Sequence, residues 1–137
     1  MITMVEFEWP IRVYYEDTDS GGVVYHSNYL NFMERARTEW LRNLGFEQDE
    51  LITNYQCIFA VHSMQLNFRR PAKFNDALTV RSHLIKVSGA SFEFEQKIFR
   101  DDELLCEAVV KIASLDANRF RPKSIPPQLL TEIQSEC

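Results

Sequence analysis

No stretch of this sequence reaches the roughly 18 to 20 consecutive apolar residues that span a bilayer, which excludes a helical membrane anchor. The opening MITMVEFEWPIRVYYED also lacks a long apolar run and is acidic early, so no signal peptide of the usual kind is expected. Positive charge is in short supply, with 15 Lys and Arg against 20 Asp and Glu and a formal charge of -5. A general nucleic-acid binder needs a basic face to displace counterions, and this balance argues against one. A small basic patch can still serve an anionic ligand. Cysteine is scarce: Cys57, Cys106 and Cys137 are odd in number and form no CxxC pair or metal-ligand spacing. The first two read as buried free thiols in strands and the third as a chain-end residue, which suits a reducing cytoplasm. A soluble, cytoplasmic protein is the expectation. No internal repeat, linker or low-complexity segment divides the chain, so residues 1–137 are expected to form one domain.

Aromatic residues, by contrast, are plentiful: ten Phe, five Tyr and two Trp. They fit half-buried sheet surfaces and point to a β-rich core. Residues 5 to 15 alternate, placing Val5, Phe7, Trp9, Ile11, Val13 and Tyr15 on one strand face. Pro10 makes this an edge strand or a bulged one. After a turn cluster the period changes. Tyr29, Phe32, Met33, Ala36, Trp40, Leu41 and Leu44 recur at spacings of three and four, the stripe of an amphipathic helix. Ser27 or Asn28 can cap its start, Arg35, Glu39 and Arg42 can pair on its exposed side, and Gly45 stops it. A shorter helix is expected around Asp49 to Tyr55.

From Cys57 the period stays near two. Ile58, Ala60, His62, Met64, Leu66 and Phe68 alternate, RRPAKFND breaks the run, and Leu78, Val80, Ser82 and Leu84 begin a third strand. Ser88-Gly89-Ala90 is a turn, Phe92, Phe94 and Ile98 lead a fourth strand, and Leu104, Cys106, Ala108, Val110 and Ile112 a fifth. LLTEIQ after Pro126 and Pro127 is expected to add a last helical turn or two. Short connections make the strands antiparallel, and one helix must lie across a single sheet face. That is an α+β fold with sheet surface left for a second subunit to cover.

The chemistry is expected in the turn Asp17-Thr18-Asp19-Ser20-Gly21-Gly22, just before the main helix. A helix N-terminus presents unpaired N–H groups and partial positive charge, a ready site for an oxyanion. A carboxylate on the same turn can attack a carbonyl or activate water beside those amides. Paired glycines let the backbone pass close to a ligand. Asp, Thr, Ser and Gly are also ordinary turn residues, and spacing alone leaves that reading open. Calcium fits poorly. Asp17-x-Asp19 with Gly22 copies the start of an EF-hand loop, but Asn28 stands where a bidentate Glu is needed. No second His accompanies His26 nearby, so a transition-metal site is not expected. His62 and His83 lie in strands as ordinary surface or satisfied residues.

The run VYYEDTDSGGVVYHSNYLNFMERARTEWL resembles the signature of the YbgC-type acyl-CoA thioesterases, in the 4-hydroxybenzoyl-CoA thioesterase branch of the hotdog superfamily. RRPAKFNDALTV and NRFRPKSIP fit the same pattern. The resemblance implies a hotdog fold, a five-stranded antiparallel sheet wrapped around one long helix, assembled as a homodimer or homotetramer. It implies hydrolysis of acyl-CoA, or of an acyl-carrier thioester, with no cofactor beyond the coenzyme A of substrate and product. Carried over, Asp19 is the catalytic carboxylate, as nucleophile or as base towards water. The His26 amide polarises the carbonyl, with Tyr25 and the His26 imidazole beside it. Gly22 lets the loop close on the thioester, and Asp17 is structural. The basic residues that hold CoA phosphates in aromatic-substrate relatives are replaced here by Val87-Ser88-Gly89-Ala90-Ser91, with only Lys86 near. Arg119, Arg121 and Lys123 are then the candidates for the phosphates; Arg69 and Arg70, in the turn before Pro71, can reach a phosphate but read first as surface residues. The resemblance also implies a second role, docking acyl carrier protein or phospholipid-synthesis enzymes in connection with the Tol-Pal system. A hotdog dehydratase would need a His with a Glu or Asp on the helix, a pattern not seen here.

Overall fold

The first strand, β1 (Glu6–Arg12), pairs antiparallel with β3 (Ala77–Val87), setting Ile11 opposite Leu78 and Pro10 opposite Thr79. These positions come from a computed structural model, which describes residues 6–136. Val5 and Cys137 lie outside the described residues. The sheet is completed by β2 (Cys57–Phe68), β4 (Ser91–Arg100) and β5 (Glu103–Asp116), in the order β1-β3-β4-β5-β2 with every pairing antiparallel. Pro10 thus sits on an edge strand, where its missing N–H costs the sheet least. The strand stops at Arg12, earlier than the alternation predicts. Tyr15 does not join the apolar face but lies exposed in a 3-10 turn, Tyr15–Asp17, because the Asp17 carboxylate accepts the Tyr14 N–H and bends the chain.

Helix α1 (His26–Asn43) crosses one face of the sheet, and Tyr29, Phe32, Met33, Ala36, Trp40 and Leu41 are all buried there. Trp40 stands edge-on to Phe94 of β4 at 4.8 Å between ring centroids, and Phe92 packs against Phe59 of β2 at 5.1 Å. Neither Ser27 nor Asn28 caps the helix. Its N-cap is Tyr25, without a side-chain bond, since the entry is already fixed by Tyr25 N–H donating to the Asp17 carbonyl. At the other end Gly45 takes φ +95°, and the Gly45 and Phe46 amides donate back to the Arg42 and Leu41 carbonyls. That is the paired closure glycine permits after a helix. Arg42 pairs with Glu39 as expected, while Arg35 lies over the Phe32 ring. The short helix α2 (Gln48–Tyr55) and the C-terminal α3 (Pro127–Gln134) follow where they were anticipated, Pro127 occupying the first helical position. This is the α+β hotdog arrangement. None of the described helices is long and apolar enough to cross a membrane.

Strand β2 departs from one unbroken alternation. Its pairing with β5 slips between Val61 and Ser63, a bulge centred on His62. A bulge adds one residue and so reverses which parity faces inward. Phe59 packs on the core before it, and Met64 and Leu66 after it. A similar slip opposite Ile98 and Phe99 puts Leu105 fully inside, in addition to Cys106.

Cys57 and Cys106 are buried free thiols, as their strand positions suggested. Burial pushes the Cys106 thiol up to about 12 and raises Cys57, with a Ser114 hydrogen bond at 3.2 Å opposing the latter. Because the thiolate is the reactive species, both should resist modification. In a Cys137→Ser background, a disulfide reagent at pH 8 should label neither cysteine until denaturant is added. Rapid labelling of the native protein would show that the core opens.

Candidate active site

Two short segments meet ahead of α1. Residues 18 to 24 fold back as a tight loop: Asp19 N–H donates to the Val23 carbonyl at 2.9 Å, Gly22 N–H to the Asp19 carbonyl at 3.0 Å, and Thr18 bridges Val24. The loop then zips onto the segment between β2 and β3. Val24 N–H donates to the Ala72 carbonyl, Val23 bridges Lys73, and the buried Tyr29 hydroxyl accepts the Ala72 N–H at 2.9 Å. Burial raises the Tyr29 pKa, with the Ala72 bond opposing, so it stays a neutral phenol. Arg100 braces this segment from behind through Asp76 at 2.6 Å and the Pro71 carbonyl at 3.3 Å.

The two aspartates of the turn are treated differently. Asp17 is buried, its Oδ2 accepting Tyr14 N–H and its Oδ1 accepting Asn28 Nδ2, each at 2.8 Å. It fastens the turn to the helix, the structural role anticipated for it. Asp19 is exposed. Its Oδ1 accepts Gly21 N–H at 2.8 Å, and its Oδ2 has no hydrogen-bond partner among the described residues. A Cβ on Gly21 would lie 3.2 Å from that Oδ1, so glycine leaves the carboxylate room. Gly22 is required for a different reason. It holds φ +80°, a conformation L side chains rarely adopt, whereas a Cβ there would meet nothing within 4 Å.

Asp19 and His26 line one cavity of about 240 Å³, together with Val23, Tyr29, Phe68 and the pair Arg69 and Arg70. The His26 ring stands edge-on to Phe68 at 4.9 Å. His26 and Ser27 are the first residues of α1, and their amides have no acceptor among the described residues, as expected of a first helical turn. A carbonyl lodged here would meet a free carboxylate oxygen on one side and the positive end of a helix on the other. Tyr25 is 56% exposed and its side chain is not in the lining.

The basic tail is elsewhere in the protomer. Arg119 N–H bonds the Asp116 side chain, the Arg121 carbonyl accepts Asp116 N–H, and Lys123 Nζ donates to the Tyr55 carbonyl at 2.5 Å. Asp116 pairs with Cys57 at the start of β2, while the cavity sits beyond Phe68 at its end. Twelve strand residues separate them, on the order of 35 Å. The cations that line the cavity are Arg69 and Arg70, read from sequence as surface residues. Both are exposed and also ion-paired, with Glu107 at 2.7 Å and Glu103 at 3.4 Å. Phe68 and Tyr29 carried no functional signal in the sequence, because each belongs equally to an apolar strand or helix pattern.

A family model described as the thioesterase-like superfamily matches residues 13–133. The acyl-CoA thioesterase YbgC of Haemophilus influenzae is 44% identical over 123 residues, covering 90% of each chain. The acyl-CoA thioester hydrolase YbgC of Escherichia coli is 40% identical over 129 residues, 93% of this chain and 96% of that one. Among solved structures, a probable thioesterase from Bartonella henselae superposes with a TM-score of 0.86 at 37% identity, over 89% of this chain and all of that one. With the family model matched over residues 13–133 and these relatives 40% and 44% identical over 90% or more of the chain, this chain belongs to the YbgC group of acyl-CoA thioesterases in the thioesterase-like superfamily.

Proposed function

We propose that this protein hydrolyses the thioester of acyl-CoA to a free acid and coenzyme A, with Asp19 as the catalytic carboxylate. The observation that carries the reading is that Asp19, whose Oδ2 is unbonded among the described residues, and His26, the first residue of α1, line one cavity. The carboxylate attacks the carbonyl carbon or takes a proton from the water that does. The carbonyl oxygen gains negative charge against the helix N-terminus, and collapse expels the CoA thiolate; where the carboxylate itself attacked, a water then cleaves the acyl-Asp19 anhydride to the free acid, and in either course the water's proton ends on the thiolate. Coenzyme A enters and leaves as part of substrate and product, and the step needs no further cofactor. Release of coenzyme A from a panel of acyl-CoAs, followed with a thiol reagent, tests the reading. No release above the uncatalysed rate from any member would overturn it.

The phosphates of coenzyme A need cations. Arg69 and Arg70 line the cavity within the protomer. Arg119, Arg121 and Lys123 reach it only across a two-fold assembly. Strand β2 is an edge strand, and an edge paired with its own copy about a two-fold axis runs antiparallel. The start of the partner's β2 then lies beside the end of this one, bringing the basic segment of the partner towards the cavity. A homodimer or homotetramer follows from the same geometry and should appear by light scattering at micromolar concentration. Arg69→Ala and Arg121→Ala should each raise KM for acyl-CoA several-fold, roughly 1 kcal/mol, with kcat nearly kept. Acyl-pantetheine, which lacks the nucleotide, should not register either change. Equal loss with both substrates would make the arginine structural.

A further inference from the structure

The seam between α1 and β2 holds a second cavity, of about 100 Å³, near the middle of the helix. Its walls are aromatic and aliphatic: Trp40, Phe59, Phe92, Phe94 and Ile112. Into this lining the helix projects one cation. Arg37 is only 9% exposed and occupies a position inside the apolar stripe, between Met33 and Trp40. Its NH1 donates to Gln96 Oε1 at 2.9 Å. The Gln96 amide is itself fully used, donating to the Met33 carbonyl and Ser82 Oγ. The remaining guanidinium donors of Arg37 have no acceptor among the described residues, and no carboxylate forms an ion pair with it there. Glu34, at the rim, is the carboxylate whose charge reaches it.

Those free donors are not sealed in. Among the described residues, the only fully enclosed side-chain polar atom without a hydrogen bond is Arg81 Nε, so the unbonded donors of Arg37 keep accessible surface, and Arg37 lines the cavity. Burial lowers the Arg37 pKa to about 10, which still leaves it charged at neutral pH. A buried cation without a counter-ion is costly, and the planar guanidinium fork matches a carboxylate with two parallel hydrogen bonds. We propose that this cavity binds the carboxylate of a short organic acid, anchored by Arg37 with its carbon body against Trp40, Phe59 and Phe92. Arg37 lies eleven residues beyond His26, roughly 16 Å along the helix axis, so the site is separate from the Asp19 cavity. The ligand class is a free short-chain carboxylic acid such as the hydrolysis reaction releases, because a short acyl group held by its thioester beside Asp19 cannot span that distance to Arg37.

Butyrate and its neutral isostere butyramide test the site by calorimetry and by thermal denaturation of the intact protein. Butyrate should bind in the millimolar range and raise Tm, and butyramide should do neither. Arg37→Met should abolish butyrate binding, with folding checked by circular dichroism. Arg37→Lys, which keeps the charge and loses the fork, should weaken it several-fold. Arg69→Ala should leave it intact. Equal binding of butyrate and butyramide by the unaltered protein would overturn the proposal without recourse to any variant. So would undiminished butyrate binding by a folded Arg37→Met protein, or loss of binding in Arg69→Ala.

Discussion

Asp19→Asn should lower kcat for acyl-CoA hydrolysis at least ~100-fold, the usual scale for losing a catalytic base or nucleophile, while the thermal midpoint hardly moves. The two halves of this expectation come from the two oxygens of one side chain. Oδ1 is occupied in the fold, accepting Gly21 N–H, and a carboxamide oxygen accepts that bond equally well. Oδ2 has no partner among the described residues, and it is this oxygen that becomes an amide nitrogen. The side chain is exposed, so no buried charge is created or lost. Asp19→Ala should differ in a telling way. It removes the Gly21 bond as well, loosening the loop, so a modest drop in midpoint should accompany the same loss of turnover. Turnover in Asp19→Asn within a few-fold of the parent protein would remove Asp19 from the chemistry.

Periodicity made the fold legible wherever one element has one buried face. The stripe from Tyr29 to Leu41 located α1 almost to the residue, and Gly45 its end, because helix burial and left-handed closure are local demands. Strand β2 was legible only in extent. Its inward face changes parity at His62, and a bulge depends on the register with β5, which no window along β2 contains. Gln96 and Arg37 were missed for a related reason. Each sits at an inward position of an apolar pattern, Gln96 between Phe94 and Ile98, Arg37 between Met33 and Trp40. The hydrogen bond that joins them spans 59 residues of sequence, invisible to spacing. At the site, the residue pattern singled out the turn, and only the family resemblance divided its carboxylates between a catalytic Asp19 and a structural Asp17. Arg69 and Arg70 looked like surface residues because they are exposed. Their place on the cavity rim comes from the tertiary zip of Val23 and Val24 onto the segment that follows them.

The allocation of the two aspartates yields the opposite prediction for Asp17. Asp17→Ala should destabilise the protein by about 2–3 kcal/mol, because it strands two donors, the Tyr14 N–H and the Asn28 amide, in a part-buried setting. For a chain of 137 residues that is a fall in Tm of roughly 10 °C. Asp17→Asn should cost much less. Its carboxamide oxygen can keep the Tyr14 bond, and its new NH2 can face Asn28 if that side chain turns its own amide over to present oxygen. The gap between the two variants therefore measures hydrogen bonding at this point and not charge. Thermal denaturation of both proteins checks it, and equal destabilisation would assign the effect to the lost negative charge instead. Turnover gives a second comparison. Asp17 holds the turn through Asn28 while its backbone carbonyl receives Tyr25 N–H, so Asp17→Asn should retain most activity where Asp19→Asn loses it. A ~100-fold loss in Asp17→Asn with the fold intact would mean that the buried carboxylate, and not the exposed one alone, takes part in the reaction.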